Sequence, residues 1–149
     1  MNTHERQNTN RTESHWIIFE WARLWSAHDV DGLLALFTDD ASYRDLAIGH
    51  SFHGRKQIED FVRGTFVTFP DFRVDILHAV ADEVMVAGEW EMSGTFSGPS
   101  FGQPPTGKRF RVPGCSVVHL RGGRIALHTD YWNEATFVEQ VRADKAQSD

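Results

Sequence analysis

Residues 109–133 read RFRVPGCSVVHLRGGRIALHTDYWN, two runs of alternating character joined by Arg121-Gly122-Gly123. A Gly-Gly pair between two such runs marks a hairpin turn, because both residues tolerate the positive φ that a tight turn requires. The spacing predicts antiparallel strands over 109–120 and 124–133. On the second strand, Ala126, His128, Asp130 and Trp132 stand two residues apart and share one face. A His and an Asp are out of place on a face turned to a dry core, whereas a cavity accounts for them. On the first strand Phe110, Val112, Gly114, Ser116 and Val118 share a face, which sets Ser116 near the pair.

Upstream the period of two continues. Val84, Val86, Gly88, Trp90, Met92, Gly94 and Phe96 alternate with mostly polar neighbours, and Phe72, Val74 and Ile76 alternate with Arg73 and Asp75, so two more strands are expected. Between Ser97 and Gly107 three Gly and three Pro exclude a regular element. Before Pro70 the period is helical: Ile58, Phe61, Val62, Thr65 and Phe66 mark a helix from Arg55 to about Phe69. A short helix through Leu33, Leu34, Leu36 and Phe37 starts at Asp31, read as its N-cap, and Ala41–Leu46 reads as a short extended segment. The first helix begins at Ser14 and halts at His28-Asp29, with Ile17, Trp21, Leu24 and His28 on one stripe. Trp16, Trp21 and Trp25 are assigned to its contact with the sheet. An amphipathic helix from Ala135 to about Ala143 closes the domain.

This order defines an α+β fold: N-terminal helices packed on a strongly bent, mainly antiparallel sheet, in a cone-shaped barrel. Gly88, Gly94 and Gly114 mark the bends. Residues 1–13 read as a disordered polar arm, 14–143 as one domain and 144–149 as a frayed tail. With 149 residues the chain can bury a sizeable core without staples. A formal charge of −6, with no basic stretch, argues against a nucleic-acid partner. A single cysteine, Cys115, excludes an internal disulfide. No apolar run approaches the ~20 residues of a membrane span, and Met1–Glu13 lacks a signal-peptide core, so a soluble cytoplasmic protein is expected. The 11 Phe, 5 Trp and 2 Tyr imply either an aromatic core or a ring-lined cavity.

GPSFGQPPTGKRF (98–110), followed by the Gly-Gly turn and HTDYW (128–132), resembles the SnoaL-like polyketide cyclases of the nuclear-transport-factor-2-like, ketosteroid-isomerase-like superfamily. GRKQIEDF (54–61) and FPDFRV (69–74) carry the same resemblance. It implies an acid–base aspartate at Asp130 and a histidine on the same face at His128. The family's second histidine falls on Ser116, and its early polar asparagine falls near Tyr43; both are departures, although a tyrosine hydroxyl can still donate to a developing enolate. Trp90, Phe96, Phe110, Ser116 and Trp132 are the candidate substrate-binding residues.

The chemistry implied is an intramolecular aldol ring closure on a hydrophobic carbonyl or polyketide-like compound, with Asp130 as base. No metal or organic cofactor is required. His50-x-x-His53 has no third ligand at a recognisable spacing, so no metal site is assigned. Two rival readings are an isomerase or hydrolase of the same superfamily and a small-molecule binding module without turnover. Epoxide opening calls for an Asp-Arg-Asp relay, and only one inward Asp is placed by the pattern. A structural alternative pairs Asp130 with an arginine such as Arg44. Ile125, Leu127 and Tyr131, with Val117 and His119, form an apolar outer face, from which a homodimer is expected.

Overall fold

The computed structural model describes residues 16–100 and 102–145. The polar arm, the start of the first helix at Ser14 and the end of the tail lie outside them. Helix α1 is described over residues 16–27. Ile17, Ile18, Trp21, Ala22, Leu24 and Trp25 are buried at helical spacing, whereas Trp16 is 58% exposed, so it does not join the helix–sheet contact expected of it. α1 ends where the sequence halts: His28 adopts a positive φ of 56°, and the amides of His28 and Asp29 return to the carbonyls of Trp25 and Leu24.

Helix α2 spans Val30–Ala35. Its N-cap is Asp29, whose side chain accepts from the Gly32 amide, not the expected Asp31. The helix stops short of Phe37, which instead opens strand β1, Phe37–Asp45, so the extended segment begins earlier than the sequence suggested. Strand β2, His50–His53, was not anticipated by the alternation of the sequence. Helix α3 runs Gly54–Thr68 and ends before Pro70. Strands β3 (Arg73–Ala81), β4 (Met85–Thr95), β5 (Arg109–Arg121) and β6 (Arg124–Trp132) follow, and helix α4 covers Glu134–Val141. Among the described residues no helix is long and apolar enough to cross a membrane.

The six strands form one mixed, open sheet in the order β2-β1-β6-β5-β4-β3. Every neighbouring pair is antiparallel except β1 with β6, which run parallel. Two irregularities set which side chains face inward. Between Leu120↔Ile125 and His119↔Leu127 strand β6 carries one extra residue, Ala126, a bulge that reverses the alternation. Ile125 is consequently fully buried and leaves the outer face expected of it; Leu127 and Val117 are half-buried there, and Tyr131 and His119 are exposed. A second irregularity in β1, between Phe37 and Ser42, brings Tyr43 and Asp45 level with His128 and Asp130.

Two rows of register partners result across the inner face. One row holds Asp45, Asp130, Ser116 and Gly88; the next holds Trp132, Gly114 and Trp90. Both glycines answer a contact. A Cβ on Gly114 would lie 2.3 Å from the Trp90 ring, and one on Gly88 would lie 2.7 Å from Ile18 of α1. The sheet therefore seats an indole at one position and the covering helix at the other.

Candidate active site

Parallel pairing in register makes Tyr43 and Asp45 of β1 neighbours of His128 and Asp130 on β6, all on the face that α1 and α3 cover. Between sheet and helices lies a cavity of about 310 Å³, lined by side chains that include Trp21, Trp25, Phe61, Trp90, Phe110 and Trp132. That is the small end of the roughly 300–1,000 Å³ range of ligand pockets. Asp130, Asp45 and Tyr43 also stand on its wall.

Three donors converge on the Asp130 carboxylate. Tyr43 donates its hydroxyl to Oδ2 at 2.6 Å, while Ser116 Oγ and His128 Nε2 both lie 2.6 Å from Oδ1. Ser116 in turn accepts from Trp90 Nε1 at 2.7 Å. An indole N–H can only donate, so the Ser116 hydroxyl hydrogen is free to point at Asp130. A carboxylate offers about four lone-pair sites, and three are occupied here, which fixes its orientation and leaves one. Arg44 bonds to Thr129 rather than to Asp130, which removes the structural ion pair considered above.

His128 is fully buried, clasped between the rings of Trp21 (4.8 Å) and Tyr43 (4.3 Å). Its Nδ1 has no partner among the described residues, and its Nε2 is committed to Asp130 and Ser116. A hydrogen on Nε2 fits those contacts, since both neighbours can accept it. His128 and Ser116 lie behind Asp130 and not on the cavity wall. His128 is thus not placed to donate to a substrate oxygen; it acts through Asp130. Burial, then the charge of Asp130, pushes the Tyr43 phenol well above its ordinary value, so Tyr43 remains a donor. Its hydrogen is already given to Asp130. Trp90, Phe110 and Trp132 line the cavity, whereas Phe96 lines a separate hollow beside Pro104, Pro105 and Phe137.

Asp45 was missed by the sequence reading. It is 5% exposed and accepts from Trp132 Nε1 (3.0 Å) and from the amides of Ala47 (3.1 Å) and Ile48 (3.2 Å). Burial, and next the charge of Asp130, pushes its carboxyl up to about 6, against the pull of the Trp132 and amide donors. The signal was present in the alternation, because an inward Tyr43 implies an inward residue at 45. From the sheet two aspartates, Asp45 and Asp130, face the cavity, correcting the count of one, and the exposed Asp60 of α3 also lines it. Among the described residues no arginine lines it, and no group of three or more His, Cys, Asp or Glu is placed to hold a metal ion. His50 and His53 are exposed on β2, where His53 Nδ1 meets Ser42 Oγ at 3.0 Å.

A family model for SnoaL-like polyketide cyclases matches residues 17–141. Among curated proteins none matches the chain. Among solved structures, a hypothetical protein of Catenulispora acidiphila with a ketosteroid isomerase-like fold, in complex with trimethylamine, is 26% identical; 86% of this chain and 93% of that one are covered, with a TM-score of 0.76. A protein of Xanthomonas campestris assigned to the polyketide cyclases is 23% identical over 88% of this chain and 98% of that one, with a TM-score of 0.80. A Mycobacterium tuberculosis epoxide hydrolase of the LEH-like type is 21% identical over 88% and 90%, with a TM-score of 0.72. The last two likenesses are of fold alone.

Proposed function

This chain belongs to the SnoaL-like polyketide cyclase family, and from that premise we propose that it closes a ring in a compact, hydrophobic carbonyl compound by cofactor-free acid–base chemistry. The observation that carries the reading is Asp130: a carboxylate on the wall of an aromatic cavity, held by three donors with no Arg or Lys among the described residues to neutralise it. Asp130 removes a proton α to a carbonyl, and the resulting enolate carbon attacks a second carbonyl of the same substrate. The new C–C bond leaves an alkoxide, which takes a proton from Asp45. The proton gained by Asp130 and the one lost by Asp45 are then exchanged between these register neighbours.

The division of labour follows from environment. A carboxyl at about 6 holds a proton far more readily near neutrality than an ordinary aspartate, which suits Asp45 to the acid step. General acid or base action contributes roughly 10²–10⁴-fold, and holding both carbonyls in one small cavity adds proximity. Asp130→Asn is expected to lower ring closure of a neutral polyketide ester by about 10² or more. Unchanged turnover in a folded variant would sink the assignment. Epoxide opening is favoured by the second aspartate but not by the cavity wall, where the described residues supply no arginine for a relay.

A further inference from the structure

The acid–base reading leaves one requirement unfilled: when Asp130 takes the proton, negative charge develops on the substrate's carbonyl oxygen, and a donor must meet it there. The ring donors on the cavity wall can be taken in turn. Tyr43 gives its hydrogen to Asp130, Trp90 to Ser116 and Trp132 to Asp45. The other two, Trp21 Nε1 and Trp25 Nε1, are buried and have no acceptor among the described residues. A buried N–H left without an acceptor costs roughly 1–3 kcal/mol, so such a group calls for an explanation.

The two indoles differ in their surroundings. Trp25 meets the rings of Phe61, Phe66 and Phe72 edge to face at 5.2–6.0 Å, an aromatic box that binds it through packing alone. Trp21 stacks on His128, the residue bonded to Asp130, and so stands one ring away from the base. It is carried by α1, and its side chain is among those that line the cavity with Asp45 and Asp130. Resting on the acid–base reading above, we propose that the Trp21 indole N–H holds the substrate's carbonyl oxygen as it becomes an enolate. The step moves no atom at Trp21: the C–H proton goes to Asp130, its electron pair shifts to the oxygen, and the N–H donates a hydrogen bond to that oxygen throughout. The nitrogen is covered by neighbouring atoms, so the proposal requires the ring to tilt for the oxygen to reach it. His128 behind the indole limits that tilt and keeps the donor close to the base.

The test uses 2-naphthol, a planar analogue of the enol of 2-tetralone, and the full chain labelled with ¹⁵N. The Trp21 indole N–H signal, identified by its loss in Trp21→Phe, is expected to move downfield as 2-naphthol saturates the cavity. Trp21→Phe keeps a ring against His128 and removes the donor; it should lower kcat for deuterium exchange into 2-tetralone by about 10², the usual effect of losing one oxyanion donor, with KM nearly unchanged. A bound 2-naphthol that leaves the Trp21 signal in place overturns the proposal, as does a folded Trp21→Phe with wild-type kcat. Exchange that depends on Asp130 but not on Trp21 would remove the proposal and leave the acid–base reading standing. A shifted Trp21 signal in a protein that exchanges nothing would overturn the acid–base reading and the enolate role with it, leaving Trp21 only as a donor to a bound oxygen.

Discussion

Asp130 and Asp45 sit opposite each other in adjacent strands, yet they are held in different ways. Asp130 is gripped by side chains from three other positions in the sheet, Tyr43 on β1, Ser116 on β5 and His128 on its own strand. Asp45 is gripped mainly by the backbone of the turn that follows β1, through the Ala47 and Ile48 amides, with Trp132 as its one side-chain donor among the described residues. A backbone cradle survives most substitutions, whereas a side-chain cradle depends on every member and on whatever seats that member. Asp130 is therefore the more fragile of the two, and Asp45 the one whose behaviour is set by burial and by its neighbour's charge.

The widest difference should appear on breaking the seat under the Asp130 network. Gly114→Ala would place a methyl 2.3 Å from the Trp90 ring, so the indole must leave its position and release Ser116. A loss of about 3 kcal/mol in urea unfolding is expected, from overpacking and an unpaired indole N–H together. Ring closure should fall with it, because Ser116 no longer holds Asp130.

The next effect belongs to Asp45. Its folded carboxyl lies at about 6, against an ordinary value of 3.8. Between those values the folded chain keeps a proton that the unfolded chain has already released, so stability falls as pH rises through that window and levels off above it. Wild type should lose on the order of 2 kcal/mol relative to Asp45→Asn between about pH 4 and pH 7. Parallel stability curves for the two proteins would show that Asp45 carries no raised pKa. Ring closure that needs protonated Asp45 should also slow as pH climbs above about 6.

Smallest is the effect of Trp132→Phe, which removes one donor from Asp45 and leaves the two amides in place. About 1 kcal/mol of stability is at stake. Because the Trp132 hydrogen bond favours the charged form, its loss should move the Asp45 midpoint higher, visible as a displaced pH–stability curve.

The same contrast explains what the sequence made legible. His128, Asp130 and Ser116 lie on two strands joined by a tight Gly-Gly turn, so local alternation and hairpin geometry were enough to bring them together. Tyr43 and Asp45 reach them through a parallel pairing between strands about eighty residues apart, which no local period encodes. Ile125 was misplaced because the bulge at Ala126 reverses the alternation, and nothing in a run of Ile, Ala and Leu announces an extra residue. Phe37 was read into a helix because it continues the apolar spacing of Leu33 and Leu36; its place at the head of β1 is decided by pairing with Ile125. Trp16 kept the helical stripe of its neighbours yet faces outward, since a broad apolar face has an edge that packing does not reach.

The central claim is that Asp130 takes a carbon-bound proton, and deuterium exchange into 2-tetralone isolates that step from recognition of any larger substrate. Wild type in D₂O should exchange the C1 hydrogens well above the buffer rate, and Asp130→Asn should lose about 10² or more of that enhancement with its fold intact. Equal exchange by the two proteins, in excess of buffer, would contradict the account.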